Sequence, residues 1–233
     1  MEHHGSLPKH LQISELLIRE VVAGRLADGA RLPPERDMAA DLNVSVGTLR
    51  RALDRMTELG MLNRVQGSGN YVCRKDDAAS VYAFFRLERP EGGGLPTARI
   101  LSAQSLLRPD DLKTETGCSH VLRIRRVRLL DAEPVALEEI WLDAEGAHEL
   151  TAHDLSESLY LTFQRDLGVA IARTEDRVGL GHVPDWDGAL LNIAPGTPCA
   201  HVARKGWSDD LGLVEVSQTW FDASRAHYVS RNR

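Results

Sequence analysis

The 233-residue chain is 42% hydrophobic and 27% charged, with a net charge of −6, a composition that can bury a core and excludes a disordered or fibrous chain. No apolar run approaches the roughly 18 to 20 residues of a membrane span and no apolar signal-peptide core opens the sequence, so a cytoplasmic protein with no membrane partner is expected. The acidic total excludes a protein that coats nucleic acid, yet residues 1–76 carry 11 Lys/Arg against 10 Asp/Glu, so the negative excess lies wholly beyond them.

From Leu11 the apolar residues Leu11, Ile13, Leu16, Leu17 and Val21 follow helical spacing, and Gly24 closes this first helix. After the turn Ala27-Asp28-Gly29, Pro33 and Pro34 suit the start of a short second helix with Met38, Ala39 and Leu42 on one face. Asn43-Val44 breaks it. Ser45 then caps a third helix, in which Leu49, Ala52, Leu53 and Met56 form a stripe at i, i+3, i+4, i+7. The opposite face holds Gly47, Arg51, Asp54 and Glu58, flanked by Thr48, Arg50 and Arg55. Taken alone, this face fits a solvated helix surface. The hairpin that follows, Met61–Val65, Gln66-Gly67-Ser68-Gly69 and Asn70–Cys73, supplies a wing, and the whole reads as a winged helix-turn-helix.

Three linked stretches resemble the GntR family of bacterial regulators: Leu32-Pro33-Pro34-Glu35-Arg36-Asp37-Met38-Ala39, Ser45-Val46-Gly47-Thr48-Leu49-Arg50-Arg51-Ala52, and Gln66-Gly67-Ser68-Gly69-Asn70-Tyr71-Val72. The resemblance implies that Arg36, Ser45, Gly47, Thr48, Arg50 and Gly67 touch double-stranded DNA, and Arg51, central on the exposed face, is added to them. Val46 stands where the family commonly has an arginine, which leaves the operator sequence open. Pro34 replaces the usual capping serine.

Beyond a polar linker at Arg74–Ala79 and a loop at Pro90–Pro96, the chain is strand-rich. Strands are expected at Val81–Phe85, Ala98–Leu101, Val121–Leu130, Val135–Leu142, Ala200–Trp207 and Leu213–Phe221, and helices at Leu155–Leu167 and Asp185–Ile193. A tight hairpin at Asp131-Ala132-Glu133-Pro134 makes the sheet antiparallel, hence an α+β chain with domains at residues 1–76 and 78–233. Alternation places Arg126 and Arg128 on one strand face with Leu122 and Ile124, where each guanidinium needs a partner: an internal carboxylate such as Glu138 or Glu139, or a bound anion. Cys73, Cys118 and Cys199 are three, far apart and without CxxC spacing; they support neither a disulfide framework nor a zinc site and read as buried small side chains.

The stretches Arg126-Val127-Arg128, Glu133–Glu138, Ser158-Leu159-Tyr160, Leu190–Pro198 and Glu215-Val216-Ser217 resemble the UTRA effector domain of the HutC-type branch, which has a chorismate-lyase-like fold. The resemblance implies a small-molecule effector, such as a sugar phosphate, phosphonate or carboxylate, held by Arg126, Arg128, Glu138, Ser158, Tyr160 and Glu215. The family resemblance implies a repressor, a homodimer on a near-palindromic operator is expected because one short recognition helix makes too few base contacts for specificity, and no cofactor is expected. Phe221 stands where sugar-phosphate-binding members often have a tyrosine. An enzyme acting on a small carboxylate is the alternative class, although no HExxH, GxSxG, CxxC or GxxxxGK[ST] motif appears. His148, His153 and Asp154 are the one grouping that could share a metal, and a metal site is not expected.

Overall fold

The computed structural model describes residues 8–73 and 84–231, and the chain divides into two compact units. The first carries α1 (Lys9–Val22), α2 (Glu35–Asp41), α3 (Val46–Glu58), β1 (Leu62–Val65) and β2 (Gly69–Val72). Leu49, Ala52, Leu53 and Met56 of α3 are fully buried against Ile13, Leu17, Ile18 and Val21 of α1 and Met38 and Ala39 of α2. Asn43 takes a left-handed φ of 50°, which ends the α2 segment and turns the chain. The Ser45 side chain then accepts a hydrogen bond from the Thr48 N–H at 3.1 Å, satisfying one of the donors left open at the start of α3. Pro34 precedes α2 without a side-chain cap. The wing strands pair Leu62 with Val72 and Val65 with Gly69.

The second unit, Arg86–Gly92 with Pro96–Val229, is built on a six-stranded antiparallel sheet. Its strands are β4 (Pro96–Leu107), β5 (His120–Leu130), β6 (Glu133–Leu142), β7 (Arg173–His182), β8 (Pro198–Ser208) and β9 (Gly212–Phe221), in the order β4-β5-β6-β9-β8-β7. The remaining short strands β3 (Leu87–Glu88) and β10 (His227–Tyr228) pair with each other. Helix α4 (Leu159–Leu167) lays Leu159 and Phe163 on Leu122, Ile124, Ile140 and Leu142. Val127 and Leu137, which alternate to the opposite sheet face, pack with Leu191, Trp186 and Trp220. The β5–β6 turn places Asp131 and Ala132 at φ of 49° and 69°, the two left-handed residues of a type I′ hairpin.

Several expected elements differ. The linker Arg74–Ala79 and residues 81–83 of the expected first strand lie outside the described residues; Phe84 and Phe85 are not in a strand, which begins at Leu87. The strand expected at Ala98–Leu101 is a longer one, Pro96–Leu107. The helix expected from Leu155 starts only at Leu159, because Ser156 Oγ donates to the Ser158 carbonyl at 2.8 Å and the Ser156 N–H donates to Thr162 Oγ1 at 3.2 Å, so side chains take the backbone groups a helix would use. The helix expected at Asp185–Ile193 shrinks to a 3-10 turn, Gly188–Leu191, bounded by left-handed Asp187 and Asn192. β7 was not expected at all. Cys199 is buried, whereas Cys73 and Cys118 are only half-buried. No helix among the described residues is long and apolar enough to cross a membrane.

Candidate nucleic-acid interface and effector site

At the front of the first unit, Arg36, Ser45, Gly47, Arg50, Arg51 and Gly67 are exposed and Thr48 is half-buried. Arg50 Nε donates to Glu35 Oε2 at 2.6 Å, tying α3 to the start of α2. A shallow groove lined by Glu35, Arg64, Gln66, Gly67 and Gly69 joins that start to the wing. Gly67 needs its positive φ of 75° for the wing turn. Gly47 is different: its backbone is ordinary helix, and an added Cβ would meet only Ser45 Oγ at 3.9 Å, so nothing within the chain demands glycine there. Two arginines escaped the sequence reading. Arg64 of β1 reaches Asp54 of α3 and donates from Nη2 to the Arg50 carbonyl at 3.5 Å. Arg31 forms a bridge with Tyr71 and lies over Gly69, whose added Cβ would stand 3.2 Å from Arg31 Nε. Neither lies on a helix, so no periodicity pointed to them.

In the second unit, the cross-strand register aligns Arg126 with Glu138 and Glu138 with Thr219, and on the next rung Ser217 with Arg204 and Arg204 with Asp176. One polar band therefore crosses the sheet beneath α4. Arg126 pairs with Glu138 and donates from Nη1 to the Glu157 carbonyl at 3.2 Å, just before the N-cap of α4. Arg128 is 2% exposed and lies one step along the same face. Burial would raise the Glu138 carboxyl, but the Arg126 and Arg128 guanidiniums outweigh it and hold it below its usual value.

Tyr160 OH donates to Glu215 Oε2 at 2.5 Å. Burial, then the Glu215 charge, drives the Tyr160 phenol well above its usual value, so it remains a donor. Burial likewise raises Glu215, only partly offset by Arg204 and by the Tyr160 and Ser217 hydroxyls. All six expected effector residues lie in this unit; Arg126 and Glu138 form one direct pair, Tyr160 and Glu215 another, and Ser158 sits at the N-cap of α4 without capping it by its side chain. Arg204, Asp176 and Thr219 were missed. Arg204 grips Asp176 with two bonds of 2.6 Å, Tyr228 OH donates to Asp176 at 2.7 Å, and Thr219 Oγ1 donates to Glu138 at 3.3 Å. Glu139, the other carboxylate offered to the Arg126 and Arg128 face, instead accepts from Arg125 Nε at 2.6 Å on the opposite face. Asp154 accepts from the Thr151 N–H and hydroxyl at 2.8 and 2.6 Å, and among the described residues no grouping of three or more His, Cys, Asp or Glu could hold a metal.

Residues 9–72 match the family of bacterial regulatory proteins, gntR family, and residues 91–227 match the UTRA domain. The HTH-type transcriptional regulator SmoD of Agrobacterium fabrum is 50% identical over the whole of both chains. The HTH-type transcriptional repressor NagR of Bacillus subtilis is 26% identical over 97% of this chain and 96% of its own. The ligand-binding domain of a GntR-family regulator from Bordetella bronchiseptica shares the fold of the second unit, with a TM-score of 0.58 at 24% identity over 65% of this chain and 99% of that one. These matches are to regulators rather than enzymes, and the chain belongs to the GntR family, a DNA-binding transcriptional regulator with a UTRA domain.

Proposed function

We propose that this regulator is a homodimeric repressor: residues 1–76 bind a near-palindromic operator, and residues 78–233 dimerise and bind a small anionic metabolite that lowers operator affinity. The observation that carries the effector half is the placement of Arg126 between Glu138 and the Glu157 carbonyl, at the amino end of α4. An anion there meets guanidinium groups together with helix N–H donors. Arg128 supplies the second guanidinium, Ser158 and Tyr160 add hydroxyls, and Glu138 and Glu215 accept from hydroxyl groups on the body of the ligand. Arg126 and Arg128, side by side on one strand face, together hold the anionic group of the ligand.

On the DNA side, Gly47 favours close approach of a partner at the start of α3, and Arg36, Ser45, Thr48, Arg50, Arg51 and Gly67 surround that point. The Arg50–Glu35 pair is exposed, so it exchanges readily for a phosphate or base edge. The relative named as a repressor supports repression. Calorimetry with sugar phosphates, phosphonates and carboxylic acids on the wild type and Arg128→Ala, followed by gel shifts with each binder, tests the reading. The expected effector is anionic, binds Arg128→Ala much more weakly, and lowers operator affinity roughly five- to 150-fold, a typical allosteric coupling. A neutral effector, or a folded Arg128→Ala that binds as tightly as its parent, contradicts it.

A further inference from the structure

We infer that Val46 and Gly47, the first two residues of α3, read the C5 methyl group of a thymine in each operator half-site; the inference rests on the DNA-binding reading above and names the base that it selects. α3 is the second helix of the helix-turn-helix and begins at Val46, directly after the Ser45 cap. A helix in that place lies in the major groove and meets base edges with its N-terminal residues. The first turn of α3, Val46-Gly47-Thr48, carries no charged side chain.

The polar groups around this turn are already engaged. Arg50 Nε donates to Glu35 at 2.6 Å, and Arg51 Nε donates back to the Gly47 carbonyl at 3.4 Å. Ser45 Oγ and Thr48 Oγ1 share a hydrogen bond of 2.9 Å, and Ser45 Oγ also accepts from the Thr48 N–H. What the turn offers a base edge is therefore the half-buried Val46 beside the bare, exposed backbone of Gly47. In the major groove the four base pairs show hydrogen-bond donors, acceptors and one apolar group, the thymine methyl. An apolar side chain set against a donor or acceptor strips water from it and returns no bond, whereas a methyl group carries no such cost.

Gly47 adds a second, independent observation. It has no positive φ, and an added Cβ would meet only Ser45 Oγ at 3.9 Å, so alanine fits the chain there and favours the helix. The wing glycines make the contrast: Gly67 and Gly69 have φ of 75° and 126°, so the backbone of the turn itself accounts for them. Glycine with no local cause marks a place where a partner comes close to the backbone. Beside Val46 the missing Cβ leaves room for a single carbon, which is what the thymine methyl brings. Val46 also packs in part on the apolar core of the unit, which fixes where its exposed part stands.

Selection of binding sites for the full chain from a random duplex library, followed by gel shifts on the selected duplex with each thymine in turn replaced by deoxyuridine, tests this. Uracil lacks the C5 methyl and leaves the base pair intact. One thymine in each half-site is expected at which uracil weakens binding about three- to fivefold, the worth of burying one methyl group. Val46→Ala is expected to bind the thymine duplex more weakly and to bring the thymine-to-uracil ratio close to one, while its affinity for unrelated duplex, set by phosphate contacts, stays that of the wild type. Gly47→Ala is expected to raise the melting temperature of the first unit and yet to weaken binding of the selected duplex by about tenfold or more, because its Cβ takes the place of the methyl. A merely structural glycine gives no such pair of effects. Uracil tolerated at every position overturns the methyl reading and leaves the DNA-binding reading standing. A folded Val46→Ala that keeps the full uracil penalty, or a Gly47→Ala that binds as tightly as its parent, overturns the part assigned to that residue, and a chain that selects no sequence overturns both readings together.

Discussion

The first unit presents its charge outward around an apolar centre, and among its described residues Glu15 is the one charged side chain that is fully enclosed; the second encloses Glu88, Arg126, Arg128, Asp143, Glu157 and Glu215. A surface that reads a long polyanion needs its arginines at the solvent, held by a rigid apolar base. A site that surrounds a small metabolite must take charge inside, and each enclosed charge then needs a counter-charge or hydrogen bonds fixed beforehand. Asp143 makes the second situation concrete. It pairs with Arg108, accepts from Thr114 Oγ1 at 2.5 Å and from the Cys118 N–H at 3.1 Å, and its carbonyl accepts from Thr116 Oγ1 at 2.8 Å.

The sharpest way to break this contrast is to delete one charge from the second unit and one apolar side chain from the first. Asp143→Ala leaves Arg108 and several donors without their acceptor and is expected to cost the second unit about 3 to 5 kcal/mol. Hydrogen exchange should rise in residues 108–118 and across β5 and β6 while α1 to α3 keep their protection. Leu53→Ala is expected to cost the first unit about 3 kcal/mol, the usual range for emptying a fully buried leucine site, with the exchange pattern reversed. Protection lost in both units from either substitution would contradict the division.

Acid sharpens the same comparison with a smaller effect. Asp143 and Glu138 lie below their usual values although burial opposes it, Asp143 through the Thr114, Thr116 and Cys118 bonds and Arg108, Glu138 through Arg126 and Arg128. Their stabilisation is present above the unfolded value of about 4 and is lost as pH falls through the lower folded value. Glu215, raised by burial, works in the opposite sense, since its protonation on acidification relieves a cost paid at neutral pH. Asp154, Asp166, Asp176 and Asp222 of the same unit are lowered as well, so the lowered carboxylates outnumber the raised one and acid leaves a net loss. As pH falls below about 4 the second unit is expected to lose protection faster than the first, and Glu138→Gln to flatten that slope. The smallest effect is a gain: Ala132→Gly relieves a left-handed alanine at φ 69° and is expected to stabilise the hairpin by about 1 kcal/mol, read as a rise in the melting temperature of the second unit alone.

The α3 stripe was legible in the sequence because its apolar spacing, the Ser45 cap and the glycine wing all point to one arrangement. The Arg126–Glu138 pair was within reach because a two-residue hairpin fixes the register between β5 and β6, leaving only Glu138 or Glu139 to choose. Arg204 was not. Its partner Asp176 lies on β7, where Arg173-Thr174-Glu175-Asp176-Arg177 shows no alternation, since an edge strand lets both of its faces meet solvent. With that strand unseen, an arginine alternating with Val202 and Ala200 had no visible counter-charge. The late start of α4 was hidden for another reason: Ser156 and Thr162 redirect backbone hydrogen bonds locally, and apolar periodicity carries no record of that.

Strands β3 and β10 place Leu87 opposite Tyr228, and the Val229 N–H donates to the Arg86 carbonyl at 2.8 Å. The path of the chain through the second unit thus begins and finishes at one spot, pinned there by Tyr228 on Asp176. A body whose two ends meet can be grafted into a surface turn of another protein, or have its ends joined and be reopened elsewhere, without pulling its sheet apart. Such a body is a portable cassette, its path closed on itself between Arg86 and Val229.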